Sequence, residues 1–120
     1  MATKKRLIRK NKSRRFRKTQ HKKPKLVVYG KIYANWCGHC RAMENDWNIL
    51  EKKMLPLQCV NIESEEKDRK IAEFNQQYRT NLALQNGFPT IFRLKKVGGT
   101  MEYYQGGDRT ELALSSWLKN

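Results

Sequence analysis

Hydrophobic residues follow two different periods along the chain, and the change from one to the other marks the predicted elements. Residues 26–33 form an apolar run of β-branched and aromatic side chains, interrupted by Gly30 and Lys31, which predicts a strand buried on both faces of a sheet. From Cys40 onward, apolar residues recur at spacings of 3, 4, 3 and 4, the spacing of one helix face. The residues on that face are Cys40, Met43, Trp47, Leu50 and Met54. We expect this face to pack on the sheet, and Pro56 to mark the exit from the helix.

A second strand and a second helix are predicted between residues 57 and 78. Residues 57–62 have the composition of a strand. Ser64, followed by two glutamates, has the character of a helix start, because acidic residues stabilise the first turn. Ile71, Phe74 and Tyr78 continue at helical spacing. Residues 79–86 form a long connection whose shape the pattern does not predict.

The last third of the chain predicts a hairpin and a closing helix. Residues 90–94 and 100–105 alternate between apolar and polar side chains, which predicts two strands joined at Gly98–Gly99. Residues 108–111 resemble a capping box in which Asp108 takes the place of Ser or Thr, so the last helix is expected to begin there. The resulting order, β-α-β-α-β-β-α, suits an α/β fold with a four-stranded sheet flanked by about three helices.

Charge divides the 120-residue chain into two unequal parts. The net charge is +15, but residues 1–25 hold 13 Lys or Arg and no Asp or Glu. Residues 26–120 hold the other 13 basic and all 11 acidic residues, which leaves a net charge of +2. Since residues 1–25 contain little to bury, we expect them to form a flexible basic arm. Residues 26–120 are expected to form one domain.

Basic runs of this kind bind phosphates through counterion release, without reading bases. The arm is therefore a candidate for binding nucleic acid or an acidic protein surface, and a solubilising or nuclear-targeting tail fits its composition equally well. No aromatic residues are interleaved for base stacking apart from Phe16. The candidate contact residues are Lys4, Lys5, Arg6, Arg9, Lys10, Arg14, Arg15, Arg17 and Lys18.

Membrane and export signals are not evident in the sequence. No stretch approaches the ~18–20 apolar residues of a membrane span, and no apolar run follows the N-terminal charges as in a signal peptide. The chain does not end in a Lys-Asp-Glu-Leu type signal. The expected location is therefore cytoplasmic, nuclear or virion-associated, rather than secretory.

Two of the three cysteines lie three positions apart where the first strand gives way to the first helix. Cys37 and Cys40 would lie about one helical turn apart on one face, so their sulfurs can form a disulfide and reopen it. At the helix N-terminus, unpaired N–H groups favour the thiolate of Cys37. A static disulfide and half of a zinc site are the alternatives; zinc needs four ligands, and only Cys59, His39 and His21 remain. Cys59, alone on a predicted strand, fits a small buried hydrophobe.

Three stretches together resemble the thioredoxin superfamily over about residues 25–120. The string Trp-Cys-Gly-His-Cys at 36–40 is similar to the active site of protein disulfide isomerases, since thioredoxins carry Pro where His39 stands. Residues 87–90, Gly-Phe-Pro-Thr, resemble the loop whose cis-proline faces the dithiol, and residues 104–118 resemble the closing turn and helix. The resemblance implies a thioredoxin-like fold with a four-stranded mixed sheet. It also implies a thiol–disulfide oxidoreductase or isomerase that acts on protein thiols and disulfides and needs no metal or organic cofactor beyond a redox-active Cys37–Cys40 disulfide.

The resemblance also implies roles for individual residues. Cys37 would be the nucleophile and Cys40 the resolving thiol, while a protonated His39 would stabilise the thiolate. The expected substrate-binding residues are Trp36, Gly38, Phe88 and Pro89. Among these, Trp36 would form an aromatic shoulder, Gly38 would permit a close approach of the turn, and the bond before Pro89 would be cis, beside backbone free to pair with an extended substrate. The alternatives are a packing role for Trp36, a tolerated small residue at Gly38, an exposed spacer at His39 and an ordinary strand-start proline.

Three residues depart from the family pattern. Lys31 stands where the family usually has a buried acid that helps to move the proton of the resolving thiol. A buried lysine could tune the thiol pKa, or the amine could extend to solvent without a catalytic role. Asn45 replaces a proline that commonly kinks the first helix, so a straighter helix is expected. Asn35 replaces the proline often found before Trp36.

Two other functions fit parts of the sequence. A structural or assembly component, such as a virion protein anchored to nucleic acid or an acidic surface by its arm, would have secondary redox activity. A thioredoxin-like reductant is the other alternative, although His39 argues for a more oxidising centre.

Overall fold

A computed structural model describes residues 26–120, and the predicted basic arm with its nine candidate contact residues lies outside this range. The strands are β1 (Val28–Tyr33), β2 (Gln58–Glu63), β3 (Thr90–Leu94) and β4 (Glu102–Tyr103). The helices are α1 (Gly38–Ala42), α2 (Glu44–Lys53), α3 (Lys67–Tyr78) and α4 (Glu111–Lys119), with a 3-10 turn at Ser64–Glu66 before α3. This order confirms the predicted sequence of strands and helices, except that the first helix is divided into α1 and α2.

The four strands form one mixed sheet in the order β2-β1-β3-β4. β1 pairs in parallel with β2 and antiparallel with β3, and β3 pairs antiparallel with β4. The sheet confirms the thioredoxin-like α/β fold expected from the sequence. β1 lies inside the sheet, and five of its six residues are buried, as expected for a strand covered on both faces.

Each face of the sheet carries its own hydrophobic core. The core that includes Phe74 of α3 comprises Val28, Ile32, Ile62, Phe74, Leu82, Phe92, Leu94 and Met101. The core formed with α2 and α4 comprises Tyr29, Met43, Trp47, Leu50, Met54, Ile91, Leu114 and Leu118. Four of the five residues on the predicted helix face lie in this second core, and the fifth, Cys40, is buried at the dithiol. The predicted packing of that face on the sheet is confirmed.

The expectation of a straighter first helix is wrong. α1 ends at Ala42 and α2 begins at Glu44, because Met43 adopts φ −95° and ψ 0° between them. The side chain of Met43 is nevertheless buried in the core. The break therefore occurs without a proline at Asn45, and the helical stripe of buried residues continues across it.

Two helix starts differ from those predicted. Ser64 opens the 3-10 turn, where the Glu63 carboxylate accepts the Glu65 N–H at 2.8 Å, and α3 begins three residues later. The cap of α4 is Thr110, whose hydroxyl accepts the Ala113 N–H at 3.3 Å. Asp108 instead accepts the Thr110 N–H at 3.1 Å, so it stabilises the turn that precedes the cap. Both residues are good cap formers, and the chain direction at the turn decides which one meets the helix.

The connection after α3 is held by side-chain bonds to its own backbone. The Asn75 amide donates to the Leu82 carbonyl at 3.0 Å and accepts the Leu82 N–H at 2.6 Å, and Leu82 is buried. Nearer the sheet, the Thr90 hydroxyl donates to the Gly87 carbonyl at 2.8 Å and accepts the Gln85 N–H at 3.1 Å. These bonds fix the loop that precedes β3. Within residues 26–120, no helix combines the length and the apolar character that spanning a bilayer requires.

Candidate active site

Cys37 and Cys40 lie at the start of α1, where the chain leaves β1. The Cys37 N–H donates to the Ala34 carbonyl at 3.1 Å, and the Cys37 carbonyl accepts the Arg41 N–H at 3.0 Å. These bonds make Cys37 the N-cap residue and place Cys40 inside the first turn. Cys37 is 8% exposed and Cys40 4%. All three cysteines of the chain fall within the described residues and are free thiols there.

The loop before β3 meets the dithiol. The Phe88–Pro89 peptide bond is cis, as the resemblance implied. The Cys37 thiol donates to the Phe88 carbonyl at 3.5 Å. Trp36, 70% exposed, meets Phe88 edge to face, with ring centroids 5.6 Å apart. The fold thus brings these four predicted site residues together, and Trp36 retains an exposed surface beside the cysteine.

The surroundings of Cys37 favour its thiolate. Burial alone would raise the pKa of Cys37, but hydrogen bonding from the Cys40 thiol and from the backbone N–H groups of Cys40 and His39 lowers it. The positive charge of Arg109 acts in the same direction, and the net pKa of Cys37 lies below its ordinary value. Because the thiolate is the form that attacks disulfides, Cys37 has the properties of a nucleophile.

Cys40 has the opposite character. Burial and, to a smaller extent, the hydrogen bond and charge of Cys37 raise the pKa of Cys40, while a backbone bond at Ala34 and the charge of Lys31 lower it; the net pKa of Cys40 is about 11. Cys40 is therefore a thiol when Cys37 is already a thiolate. In such an asymmetric pair, the Cys37 sulfur can attack as a thiolate while the Cys40 sulfur stays protonated.

Lys31 is buried behind the dithiol. It is 7% exposed, and its amine lies 4.9 Å from the ring centroids of both Tyr33 and Trp47. The structure therefore contradicts the alternative in which the amine extends to solvent. Lys31 and Cys40 line one cavity of about 150 Å³, together with Glu44 and four other residues. Burial lowers the pKa of Lys31, although Glu51, Cys40, Cys59 and Glu44 all favour its charged form.

Cys59 is not simply a small hydrophobe. Its thiol donates to the Glu51 carboxylate at 3.1 Å, and the same carboxylate accepts the Asn61 amide at 2.7 Å. Asn61 in turn accepts the indole N–H of Trp47 at 2.9 Å. Burial, followed by the bond and charge of Glu51, raises the pKa of Cys59 to about 12. A high pKa keeps Cys59 protonated and therefore unreactive, so Cys59 is not a candidate nucleophile.

Arg109 is a charged group at the site to which the sequence analysis assigned no role. It lies in the turn before α4 and lines two depressions beside the dithiol. The proline groove, about 230 Å³, is lined by residues 85–91, residues 103–106 and Arg109. The helix-side depression, about 190 Å³, is lined by His39, Ala42, Met43, Asp46, Arg109 and Thr110. The turn at 106–109 belongs to the stretch that resembles the family, but nothing in its spacing indicates that it folds back toward Cys37.

Two other predicted residues occupy exposed positions. His39 is exposed on α1, and the part of it that lowers the Cys37 pKa is its backbone N–H. A Cβ at Gly38 would meet nothing within 4 Å, so the close approach expected there does not occur within the fold. Because Gly38 lies on the exposed side of the first turn, it has open space around it. Among residues 26–120, no cluster of three or more His, Cys, Asp or Glu side chains could hold a metal ion.

Comparison with known proteins decides the family. The family model described as Thioredoxin matches residues 7–120. The chain belongs to the thioredoxin family. The match begins inside the basic segment, while the boundary predicted at residue 25 stays a prediction. The resemblance read from residues 36–40, 87–90 and 104–118 is confirmed by this match.

The relatives of this thioredoxin-family chain are longer proteins. It is 32% identical over 87 residues to a thioredoxin domain-containing protein of Theileria parva, covering 72% of this chain and 35% of that protein. It is 29% identical over 111 residues to a protein disulfide-isomerase of Ricinus communis, covering 89% of this chain and 20% of that protein. The chain thus spans about a third and a fifth of their lengths.

Solved structures show the same fold at lower identity. The J-Trx1 fragment of ERdj5 superposes with a TM-score of 0.58 at 19% identity, covering 77% of this chain and 41% of that one. The first thioredoxin domain of mouse protein disulfide-isomerase A4 superposes with a TM-score of 0.51 at 24% identity, covering 77% of this chain and 60% of that one. At these identities the likeness concerns the fold.

Proposed function

We propose that this chain is a thiol–disulfide oxidoreductase of isomerase type that acts on protein disulfides through Cys37 and Cys40. The observation that carries the proposal is the asymmetry of the dithiol: the pKa of Cys37 is lowered and that of Cys40 is raised to about 11. The contact of the Cys37 thiol with the Phe88 carbonyl supports it, because that contact joins the nucleophile to the proline groove. The disulfide-isomerase relative supports the same class of reaction.

The reaction begins when the Cys37 thiolate attacks one sulfur of a substrate disulfide. The substrate S–S bond breaks, its second sulfur leaves as a thiolate, and a mixed disulfide joins Cys37 to the substrate. Cys40, after losing its proton, then attacks Cys37, which releases the substrate thiol and forms the Cys37–Cys40 disulfide. In isomerisation, a thiolate of the substrate itself attacks the mixed disulfide and regenerates the dithiol.

The other site residues act by positioning. Trp36 and Phe88 offer an aromatic surface beside the nucleophile. The backbone around Pro89, which lines the proline groove, would pair with an extended substrate. His39 next to the sulfurs would stabilise the thiolate form and so make the disulfide more oxidising. The positive charge of Lys31 would lower the pKa of Cys40. No metal or organic cofactor is needed for any of these steps.

The test is the rescue of a disulfide-scrambled protein by the full chain. We expect catalysed recovery with the wild type and none with Cys37→Ser. Cys40→Ser should accumulate a mixed disulfide on Cys37 that reducing gel electrophoresis releases. Cys59→Ser is the matched control, because Cys59 has a high pKa and is not part of the dithiol. This variant should behave as the wild type. Normal rescue by Cys37→Ser would refute the proposal.

The reduction potential distinguishes the isomerase from a thioredoxin-like reductant. Equilibration in a glutathione redox buffer measures it: a reduction potential of about −180 mV would favour the oxidant or isomerase, and one of about −270 mV would favour the reductant. Binding of nucleic acid or an acidic surface by the arm, which lies outside the described residues, stays a prediction, and so does the cytoplasmic, nuclear or virion-associated location.

A further inference from the structure

Arg109 combines three features that together go beyond stabilising the Cys37 thiolate. Its side chain is half-buried, it lines both depressions beside Cys37, and its charge reaches the sulfur of Cys37. Within residues 26–120, no carboxylate forms an ion pair with it. A half-buried guanidinium without a carboxylate partner is open to an anionic group from outside the chain.

The proline groove is the depression that can supply such a partner. Among the residues that line it, Arg109 alone carries a charge at neutral pH. The hydroxyls of Thr90 and Tyr104 already donate to backbone carbonyls, and the hydroxyl of Tyr103 accepts the Ala83 N–H. The helix-side depression differs, because Asp46 lies in its wall. A substrate carboxylate therefore meets an unopposed positive charge only on the groove side.

The reaction itself changes what Arg109 faces. In the reduced protein its charge lies near the Cys37 thiolate, which it helps to stabilise. When Cys37 becomes part of a mixed disulfide, that negative charge is lost. A carboxylate on the bound segment would then replace it and keep the site electrically balanced.

We propose that the proline groove selects extended polypeptides that carry an acidic side chain close to the reacting cysteine, with Arg109 as the specificity-determining residue. The inference rests on the proposed thiol–disulfide activity and adds the charge of the preferred substrate. The 13 basic and no acidic residues of the first 25 would attract the same class of partner at longer range.

The test uses the full chain and synthetic peptide pairs joined by one disulfide, with a fluorophore and a quencher on opposite sides. Each flanking position within two residues of the cysteine is varied among Glu, Gln and Lys. Dithiothreitol, which is uncharged, supplies the electrons, and its rate without protein corrects for the intrinsic reactivity of each peptide. We expect kcat/KM to favour Glu over Gln by about two- to fivefold in at least one position at low salt, and to disfavour Lys by a similar factor. The preference for Glu should shrink in 0.5 M NaCl, about three times the physiological ionic strength, because salt screens the charge of Arg109.

Three variants assign the preference to Arg109. Arg109→Gln should abolish the difference between Glu and Gln peptides, and Arg109→Lys should retain part of it. Lys52→Gln, which removes an equal charge from the exposed end of α2, should leave the preference intact. Equal rates for all peptides, or a preference that survives Arg109→Gln, would overturn the inference while leaving the proposed function standing. If no peptide reacted faster than with dithiothreitol alone, the proposed function would fall and the inference with it.

Discussion

Lys31 shows how one side chain shapes the chemistry of a neighbour that it does not bond covalently. Taking an ammonium group out of water is costly, and here two aromatic rings 4.9 Å from the amine offset part of that cost. The positive charge of Lys31 lowers the pKa of Cys40, whereas burial raises it. A buried ammonium group can therefore assist a thiol that must lose its proton to resolve a mixed disulfide.

Lys31→Met tests this role. Without the ammonium, the pKa of Cys40 should rise further, and release of the mixed disulfide at neutral pH should slow by about tenfold for each pKa unit gained. The pH at which release is half-maximal should move upward by the same amount. The unfolding free energy should stay level or increase, because an apolar side chain replaces a buried charge. Lys52→Met is the control for loss of one positive charge, and a pH profile for Lys31→Met that coincides with the wild type would contradict the role.

Strand β1 illustrates how an element imposes residue size. At Gly30, an added Cβ would come within 1.9 Å of the Val60 carbonyl oxygen and 2.8 Å of the Phe92 ring. These neighbours belong to β2 and β3, the strands on either side of β1. Only a residue without a side chain allows the three strands to pair at this point.

Gly30→Ala and Gly38→Ala form a matched pair for this argument. Gly30→Ala should lower the unfolding free energy by about 1–3 kcal/mol, because backbone and ring must move. Gly38→Ala should be neutral or stabilise by up to ~1 kcal/mol, since its Cβ meets open space and alanine favours the helix. Urea unfolding of both variants measures the difference. Equal losses would show that crowding at Gly30 is not what requires glycine.

Elements with a clear period could be predicted from the sequence, and their ends could not. The stripe from Cys40 to Met54 has helical spacing because one face must be buried, and its packing was found as predicted. The break at Met43 could not be predicted, because no proline or glycine marks it in the sequence. Asp108 and Thr110 have nearly equal capping tendencies two residues apart, so only the path of the turn decides between them.

At the scale of the whole molecule, the site is assembled from segments far apart in the chain. Cys37 and Phe88 are 51 residues apart, and their meeting was implied only by resemblance to a known family. Local spacing predicted the dithiol, because both sulfurs lie on one turn. Local spacing could not reveal the effect of Arg109 on Cys37, because only the tertiary fold brings the turn before α4 close to the dithiol. Nor could it show that Cys59 bonds with Glu51, a contact between α2 and β2.

The raised thiol pKa values of Cys40 and Cys59 give the whole protein an expected sensitivity to alkaline pH. The pKa values of Cys40 and Cys59 are raised to about 11 and about 12 in the folded state, whereas an exposed thiol has a pKa of about 8.5. As pH rises above ~8.5, the unfolded chain loses these protons first, so the folded state binds more protons and its stability falls. Lys31 acts in the opposite sense, because its folded pKa is lowered.

Cys59→Ala isolates one of these contributions, since Lys31 and Cys40 titrate in both proteins. The unfolding free energy of the reduced wild type should fall with pH more steeply than that of the variant, by at most ~1.4 kcal/mol per pH unit. The difference in slope should be absent at pH 7, where both states keep the Cys59 proton, and should appear from about pH 9. Urea titrations from pH 7 to 10.5 with a reductant present provide the measurement. Parallel curves would mean that the bond to Glu51 and the burial of Cys59 do not hold its proton in the folded state.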